Sequence, residues 1–283
     1  MRIANIAATG TFEPPELPRH LISADVEVET VAVDYFVYPG NPFDAMLDDL
    51  AYVEAAVRAE AAGFDVVYIN STADYGIEQA RSAVRVPVVG AGQASMMMAA
   101  SLGRTFSIVT VWPSSLRSLN EKVVRNYAMT DRCVSIRHVA AESEMRTVTD
   151  DDSFYHGMVR GREDMLARIS SEIQVAVEVD GADVIVLGCT CMSPVAVELG
   201  RRTTVPVVDA AVAGYLAAEA AGRTGLTHSP TAYAPVADPR HAMLRDMTGA
   251  AARALESAGD YAEACEICEV IRSEEPVSAS AAS

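Results

Sequence analysis

The chain has 283 residues, half of them hydrophobic, with 39 acidic against 22 basic side chains and a formal net charge of −17. That length suits one or two domains with a large core, and the charge argues against nucleic acid or an anionic membrane as partner, because phosphate binding needs a cationic surface. No stretch nears the roughly 20 apolar residues of a membrane-spanning helix. The five cysteines, an odd number, fit a reducing compartment better than a disulfide framework. The expectation is a soluble cytoplasmic protein.

Residues 1–6 read as a first buried strand and not as a secretory leader. From there, short β-branched runs alternate with helical stretches, the pattern of βαβ units and a parallel sheet. Strands are expected at 2–6, 26–33, 66–69, 88–89, 107–111, 134–138, 184–187 and 207–208. Helices are expected at 44–62, 95–101, 114–127, 163–179 and 210–221. The fold class is therefore α/β.

An internal echo organises the chain. Residues 64–72 (Phe-Asp-Val-Val-Tyr-Ile-Asn-Ser-Thr) align without a gap with 182–190 (Ala-Asp-Val-Ile-Val-Leu-Gly-Cys-Thr). Each segment follows a long amphipathic helix closed by a glycine, Gly63 or Gly181, suited to a left-handed cap. Each is followed by Val-Pro-Val-Val, at 86–89 and 205–208. Two similar α/β halves related by a pseudo-dyad follow, with a site between them. The first would comprise 1–95 and 207–240 and the second 96–206. Residues 241–283 would form a C-terminal helix and an acidic, partly disordered tail.

Ligands of parallel α/β sheets bind outside the carboxyl ends of the strands. Ser71-Thr72 and Cys189-Thr190 fall there, and a pseudo-dyad would set them on opposite sides of one pocket. Cys189 sits at a strand-to-helix turn after Gly188, where backbone N–H groups favour a thiolate and an anionic substrate. Cys191 reads as structural or supporting, since no further ligand stands at zinc spacing. Cys265 and Cys268 form a C-x-x-C in the acidic tail and read as exposed helix residues. Gln93, in a short βα turn, and Trp112, at another strand end, are candidates for shaping the pocket. The five histidines show no metal-binding spacing, and nucleotide-binding glycine signatures are absent.

Val86–Gly90, Phe106–Thr110 and above all Gly181–Thr190, with Val-Pro-Val-Val-Asp209 downstream, resemble the aspartate/glutamate/hydantoin racemase superfamily, in its hydantoin-racemase-like branch. The resemblance covers about residues 1–240. It implies two similar domains and cofactor-independent proton transfer at a carbon beside a carbonyl or carboxylate, and the histidine spacing implies no metal. Racemases of this superfamily set two cysteines on opposite faces of the substrate carbon. Cys189 matches the second, whereas the first position is occupied by Ser71, ahead of Asp74-Tyr75-Gly76. A serine is far less acidic than a thiol, so Ser71 cannot serve as a thiolate base. The superfamily's Asn-Pro-Asn after strand one is replaced by Ala7-Ala8-Thr9-Gly10. The resemblance thus implies Cys189 as acid/base, Ser71 opposite it, and Thr72, Thr190, Cys191, Thr9 and Asn70 around a small anionic or carbonyl-containing substrate. By cysteine count the chain is similar to the arylmalonate decarboxylases, which keep only the second cysteine. A decarboxylase and a non-catalytic binding protein stay open as alternatives. The Ala-rich apolar helices leave room for a homo-oligomer.

Overall fold

Strands buried on both faces need helices on both sides, and each run of buried residues here is covered in that way. The computed structural model describes residues 1–9, 14–147, 150 and 152–257. In chain order its elements are β1 (Arg2–Ala7), β2 (Glu27–Ala32), α1 (Pro42–Ala61), β3 (Val66–Ile69), α2 (Ile77–Ala83), β4 (Val88–Gly90), α3 (Ala91–Leu102) and β5 (Phe106–Thr110). There follow α4 (Arg117–Asn126), β6 (Cys133–His138), α5 (Phe154–Val159), α6 (Glu163–Glu178), β7 (Val184–Leu187), α7 (Ala196–Arg201), β8 (Val207–Val208), α8 (Ala210–Thr224) and α9 (Asp238–Ser257). Cys265 and Cys268 lie outside the described residues. Among those described, no helix is long and apolar enough to cross a membrane.

The strands form two four-stranded parallel sheets, ordered β2-β1-β3-β4 and β6-β5-β7-β8. The order is the same in both, so the echo in the sequence is a repeat of topology. In register, Ile3 of β1 pairs with Val66 of β3, and Phe106 of β5 pairs with Val184 of β7. Gly63 and Gly181, which precede the paired strands, have φ of 79° and 76°, the left-handed conformation their position calls for.

The halves exchange helices. α3 leaves the first sheet and buries Met96 and Ala99 with Phe106, Ile108, Val184 and Val186 of the second. α8 leaves the second sheet and buries Ala211, Tyr215 and Ala218 with Ile3, Val66 and Tyr68 of the first. Residues 207–208 were expected with the first half, but β8 is hydrogen-bonded to β7 in the second sheet. Beyond Asp209 the chain lies on the first: α8 covers its sheet, His228 accepts the Val88 N–H at 2.7 Å, and Leu244 and Leu255 of α9 pack on its core. A strand follows its ladder partner and a helix follows its apolar face, so one segment can serve both halves.

Two helices begin earlier than the sequence suggests. α1 starts at Pro42, because Asn41 caps it by accepting the Phe43 and Asp44 N–H groups at 2.9 and 3.1 Å. Proline suits that first position, where its missing N–H is no loss. α3 starts at Ala91 without any local side-chain cap. Its first N–H groups are collected from a distance, by a carboxylate in the loop after β3.

Close helix-to-sheet approach depends on Gly214 of α8. A Cβ there would collide with the Tyr68 ring, whose hydroxyl donates to the Ala211 carbonyl at 3.0 Å. Tyr68 is fully buried and cannot swing aside. Gly214→Ala should therefore cost about 1–3 kcal/mol by overpacking, read as a lower midpoint in chemical denaturation with an unchanged slope.

Candidate active site

The carboxyl ends of β3 and β7 meet across the interface of the halves. The Thr72 hydroxyl, past β3, donates to the Gly188 carbonyl at 2.8 Å. The Thr190 hydroxyl, past β7, donates to the Asn70 carbonyl at 3.3 Å. Thr72 and Thr190 are echo partners, as are Asn70 and Gly188, so the two bonds are the same bond made twice about the pseudo-dyad. A second pair follows the same rule. The Ser71 hydroxyl accepts the Ala73 N–H at 3.3 Å, and the Cys189 sulfur accepts the Cys191 N–H at 3.1 Å.

These loops border a cavity of about 120 Å³. Asn70, Ser71 and Thr72 line it from one half, and Gly188, Cys189, Thr190 and Cys191 from the other. Phe36, Tyr38 and Pro39 of the segment after β2 wall one side, while Tyr52, Tyr75 and Asn120 contribute further. Trp112 lines the cavity and stacks on Tyr155, with ring centroids 6.0 Å apart and planes at 21°. No Asp, Glu, Lys, Arg or His is among the described lining residues. The N–H groups of Ser71, Thr72, Cys189 and Thr190 donate to no protein acceptor among the described residues. The Asn70 amide nitrogen, also buried, has none either.

Several sequence expectations meet a different arrangement. Cys189 and Cys191, expected as separate thiols, are joined by a disulfide, with Cα atoms 5.2 Å apart, a separation a disulfide spans readily. Cys189 caps the 3-10 helix Thr190–Val195, and the tight turn that begins at Thr190 brings Cys191 within reach of its sulfur. The Cys191 N–H, expected at the substrate, is turned to the Cys189 sulfur instead. Gln93 is not in the lining. Its side-chain oxygen accepts from Arg81 at 2.5 Å, and its backbone N–H donates to Asp74 at 2.8 Å. Thr9 is exposed and does not line the cavity either.

The turn before α3 does bind an anion through its N–H groups, but the anion belongs to this chain. Asp74, at φ 46°, receives Gly92 N–H and Gln93 N–H at 2.8 Å each, and its own N–H donates to the Ser71 carbonyl at 3.2 Å. It thereby ties the Ser71–Thr72 loop to the start of α3. In the second half Asp209 has this task, receiving the Ala211 and Val212 N–H groups and the hydroxyl of Ser193 in the turn after Cys189. The position echoing Asp209 is Gly90, where a Cβ would collide with the Asp74 carboxylate. Burial pushes the Asp74 carboxyl up to about 6, against the lowering effect of the two N–H groups and of Arg81.

Sequence reading missed the aromatic wall and Asn120. Asn120 interrupts the buried face of α4, otherwise formed by Leu119, Val123 and Val124, and such a break was a readable signal. Tyr38 lies in a non-helical segment with no periodicity to mark it. Its loop is held by the Val37 N–H, which donates to Asp48 of α1 at 2.8 Å.

Two similar α/β halves define a class of fold shared with solved structures. Allantoin racemase from Klebsiella pneumoniae superposes with a TM-score of 0.70 at 23% identity, covering 84% of this chain and 94% of that one. Allantoin racemase from Pseudomonas fluorescens gives 0.68 at 24% identity, covering 83% and 97%. Residues 19–218 match the Asp/Glu/Hydantoin racemase family, and the chain belongs to that family. It is 32% identical over 177 residues to a hydantoin racemase of Pseudomonas sp. (strain NS671), covering 62% of this chain and 66% of that protein. It is also 32% identical over 163 residues to a hydantoin racemase of Rhizobium meliloti, covering 58% and 62%. The chain thus spans somewhat under two thirds of the length of these two relatives.

Asp74 generates a pH prediction. A carboxyl that holds its proton more tightly folded than unfolded loses stability as pH rises from the unfolded value, about 4, to the folded value, about 6. Relative to Asp74→Asn, the wild type should therefore lose unfolding free energy between pH 4 and about 6 and run parallel above it, measured by urea denaturation across pH. Parallel curves throughout would contradict the raised carboxyl.

Proposed function

We propose that the protein is a racemase-type enzyme that moves a proton at a carbon beside a carbonyl, with Cys189 as acid/base. One observation carries this reading: Ser71 and Cys189, at dyad-related positions, line the same cavity. The membership in a racemase family and the hydantoin racemase relatives support it. An uncharged cyclic substrate of the hydantoin kind suits the site better than a free amino acid. Burying a full charge among neutral side chains carries a large desolvation cost unless it is paired, and no cationic side chain is among the described lining residues.

In the reduced protein the Cys189 thiolate, favoured by the Cys191 N–H, takes the proton from the ring carbon. The carbonyl oxygen then carries the charge. The Thr72 and Thr190 N–H groups are held by the reciprocal threonine bonds and have no acceptor among the described residues, so they are available to receive it. Preorganised donors of this sort are the largest contribution in enolate chemistry. The proton returns from the same sulfur. On the opposite face Ser71 offers a hydroxyl with no base among the described lining residues to ionise it. Exchange with retention is therefore faster than inversion. The disulfide form has no thiolate and is inactive in this scheme.

A second reading is favoured by the absence of a cysteine at Ser71, the position paired with Cys189 about the dyad, which suggests a decarboxylase of the arylmalonate type. Carbon dioxide release from an aryl-substituted malonate separates it from the first reading.

Two variants test the proposal on a hydantoin bearing an aromatic side chain, in D2O near neutral pH and under reductant. Cys189→Ala should lower deuterium uptake by at least about 100-fold, the usual worth of a positioned acid/base. Undiminished uptake would remove Cys189 as the proton carrier. Ser71→Cys should raise inversion, followed by chiral chromatography, by about tenfold or more relative to exchange. An unchanged ratio would place the second proton donor elsewhere.

A further inference from the structure

The turn after β7 carries two sulfurs where the proposed chemistry uses one. The position that echoes Cys191 in the first half is Ala73, which is equally buried, so the repeated architecture does not call for a sulfur there. Both Cys189 and Cys191 line the cavity, and their sulfurs are bonded. Cys189 is half-buried and Cys191 is buried. The Cys191 N–H on the Cys189 sulfur makes Cys189 the better nucleophile of the two, because a donor to sulfur favours the thiolate. Cys133, the free cysteine among those described, is no competitor. It lies on β6 away from the cavity lining, and burial pushes its thiol up to about 11.

We propose that Cys189 and Cys191 are a reversible redox pair, in which a hydroperoxide small enough to enter the cavity converts the acid/base thiol into an intramolecular disulfide and so switches the site off. This rests on the reading of Cys189 as acid/base. The Cys189 thiolate attacks a peroxide oxygen, the O–O bond breaks, and a sulfenic acid forms while the alcohol or water departs. The Cys191 sulfur then attacks the Cys189 sulfur, the S–O bond breaks, and a second water leaves with the thiol proton. Two thiols lose two electrons and two protons, and the peroxide gains them. A dithiol reverses the step by exchange. Closure is local, because the turn already holds the two residues at bridging distance and the reciprocal threonine bonds need not break. The resolving thiol also protects the site, since a sulfenic acid trapped as a disulfide does not advance to the irreversible sulfinic acid.

The test uses the full chain, reduced, freed of reductant, and titrated with hydrogen peroxide before alkylation and trypsin digestion. Arg168 and Arg201 bound a single peptide, 169–201, that holds both cysteines, whereas Cys133 falls in 133–137 and Cys265 and Cys268 in 254–272. The expected result is a 169–201 peptide about 2 Da lighter and unalkylated, with deuterium exchange lost at the same peroxide dose and both recovered with dithiothreitol. In Cys191→Ala, with exchange normalised to its own reduced state, the lighter peptide is absent and peroxide leaves an oxygen-bearing Cys189 that dithiothreitol restores only in part. A reduced protein that exchanges substrate yet keeps both thiols alkylatable after peroxide would overturn the redox pair alone. Pairing of Cys189 with Cys133, Cys265 or Cys268 would overturn it as well. A lighter peptide from a protein whose reduced form exchanges nothing would instead overturn the acid/base reading, and with it the switch, while leaving the sulfur pairing intact.

Discussion

The two threonine hydroxyls that cross the dyad are the contacts on which the site depends. Thr72 reaches the Gly188 carbonyl and Thr190 reaches the Asn70 carbonyl. Each bond gives a carbonyl at the end of one sheet a donor from the other half, and the Gly188 carbonyl also accepts the Thr110 hydroxyl of its own half at 3.2 Å. Buried polar groups are costly unless paired. The pairing therefore sets the separation and orientation of the loops that bear Ser71 and Cys189. It also occupies the hydroxyl protons of both threonines, so their backbone N–H groups are what the cavity can use.

Around that clasp the helix exchange supplies rigidity. α3 and α8 each start at the end of one sheet and bury their apolar faces on the other. Separating the halves would expose two helix faces at once, at about 25 cal/mol for each Å² of apolar surface returned to water. Asp74 and Asp209 join the same helices to the loops that bear Ser71 and Cys189, one from a distance and one locally. Both carboxylates answer a helix N-terminus, where N–H groups lack partners in the helix itself. Geometry at the cavity is thus inherited from the core through four short polar links.

The chemistry follows from what the cavity lacks as much as from what it holds. Its described lining is aromatic, apolar and neutral, although the whole chain carries a net charge of −17. The surface charge and the site are independent properties. In a neutral site a sulfur is the most easily ionised group, so the proposed proton transfer and the proposed oxidation both fall on Cys189. The N–H that would favour its thiolate would equally favour attack on a peroxide, which is the role proposed for the second sulfur two residues away.

Local pattern was enough to read the α/β class, the repeated halves, and the placement of Ser71, Thr72, Cys189 and Thr190 past the ends of equivalent strands. Each of these depends on strand period, on glycine caps and on a gapless repeat, all properties of contiguous residues. Asp74, Gln93, the aromatic wall and the Cys189–Cys191 bond were decided by tertiary structure. Asp74 caps a helix that begins 17 residues later, and no local pattern links a loop carboxylate to that distant N-terminus. Gln93 sits in a turn that could bind an anion, and whether the anion is a substrate or a buried side chain depends on what folds against it. The spacing of two cysteines was visible, but their bonding depends on the tight 3-10 turn that begins at Thr190 between them. Sequence specified which residues stand at the dyad, and packing decided which of their atoms stay free to react.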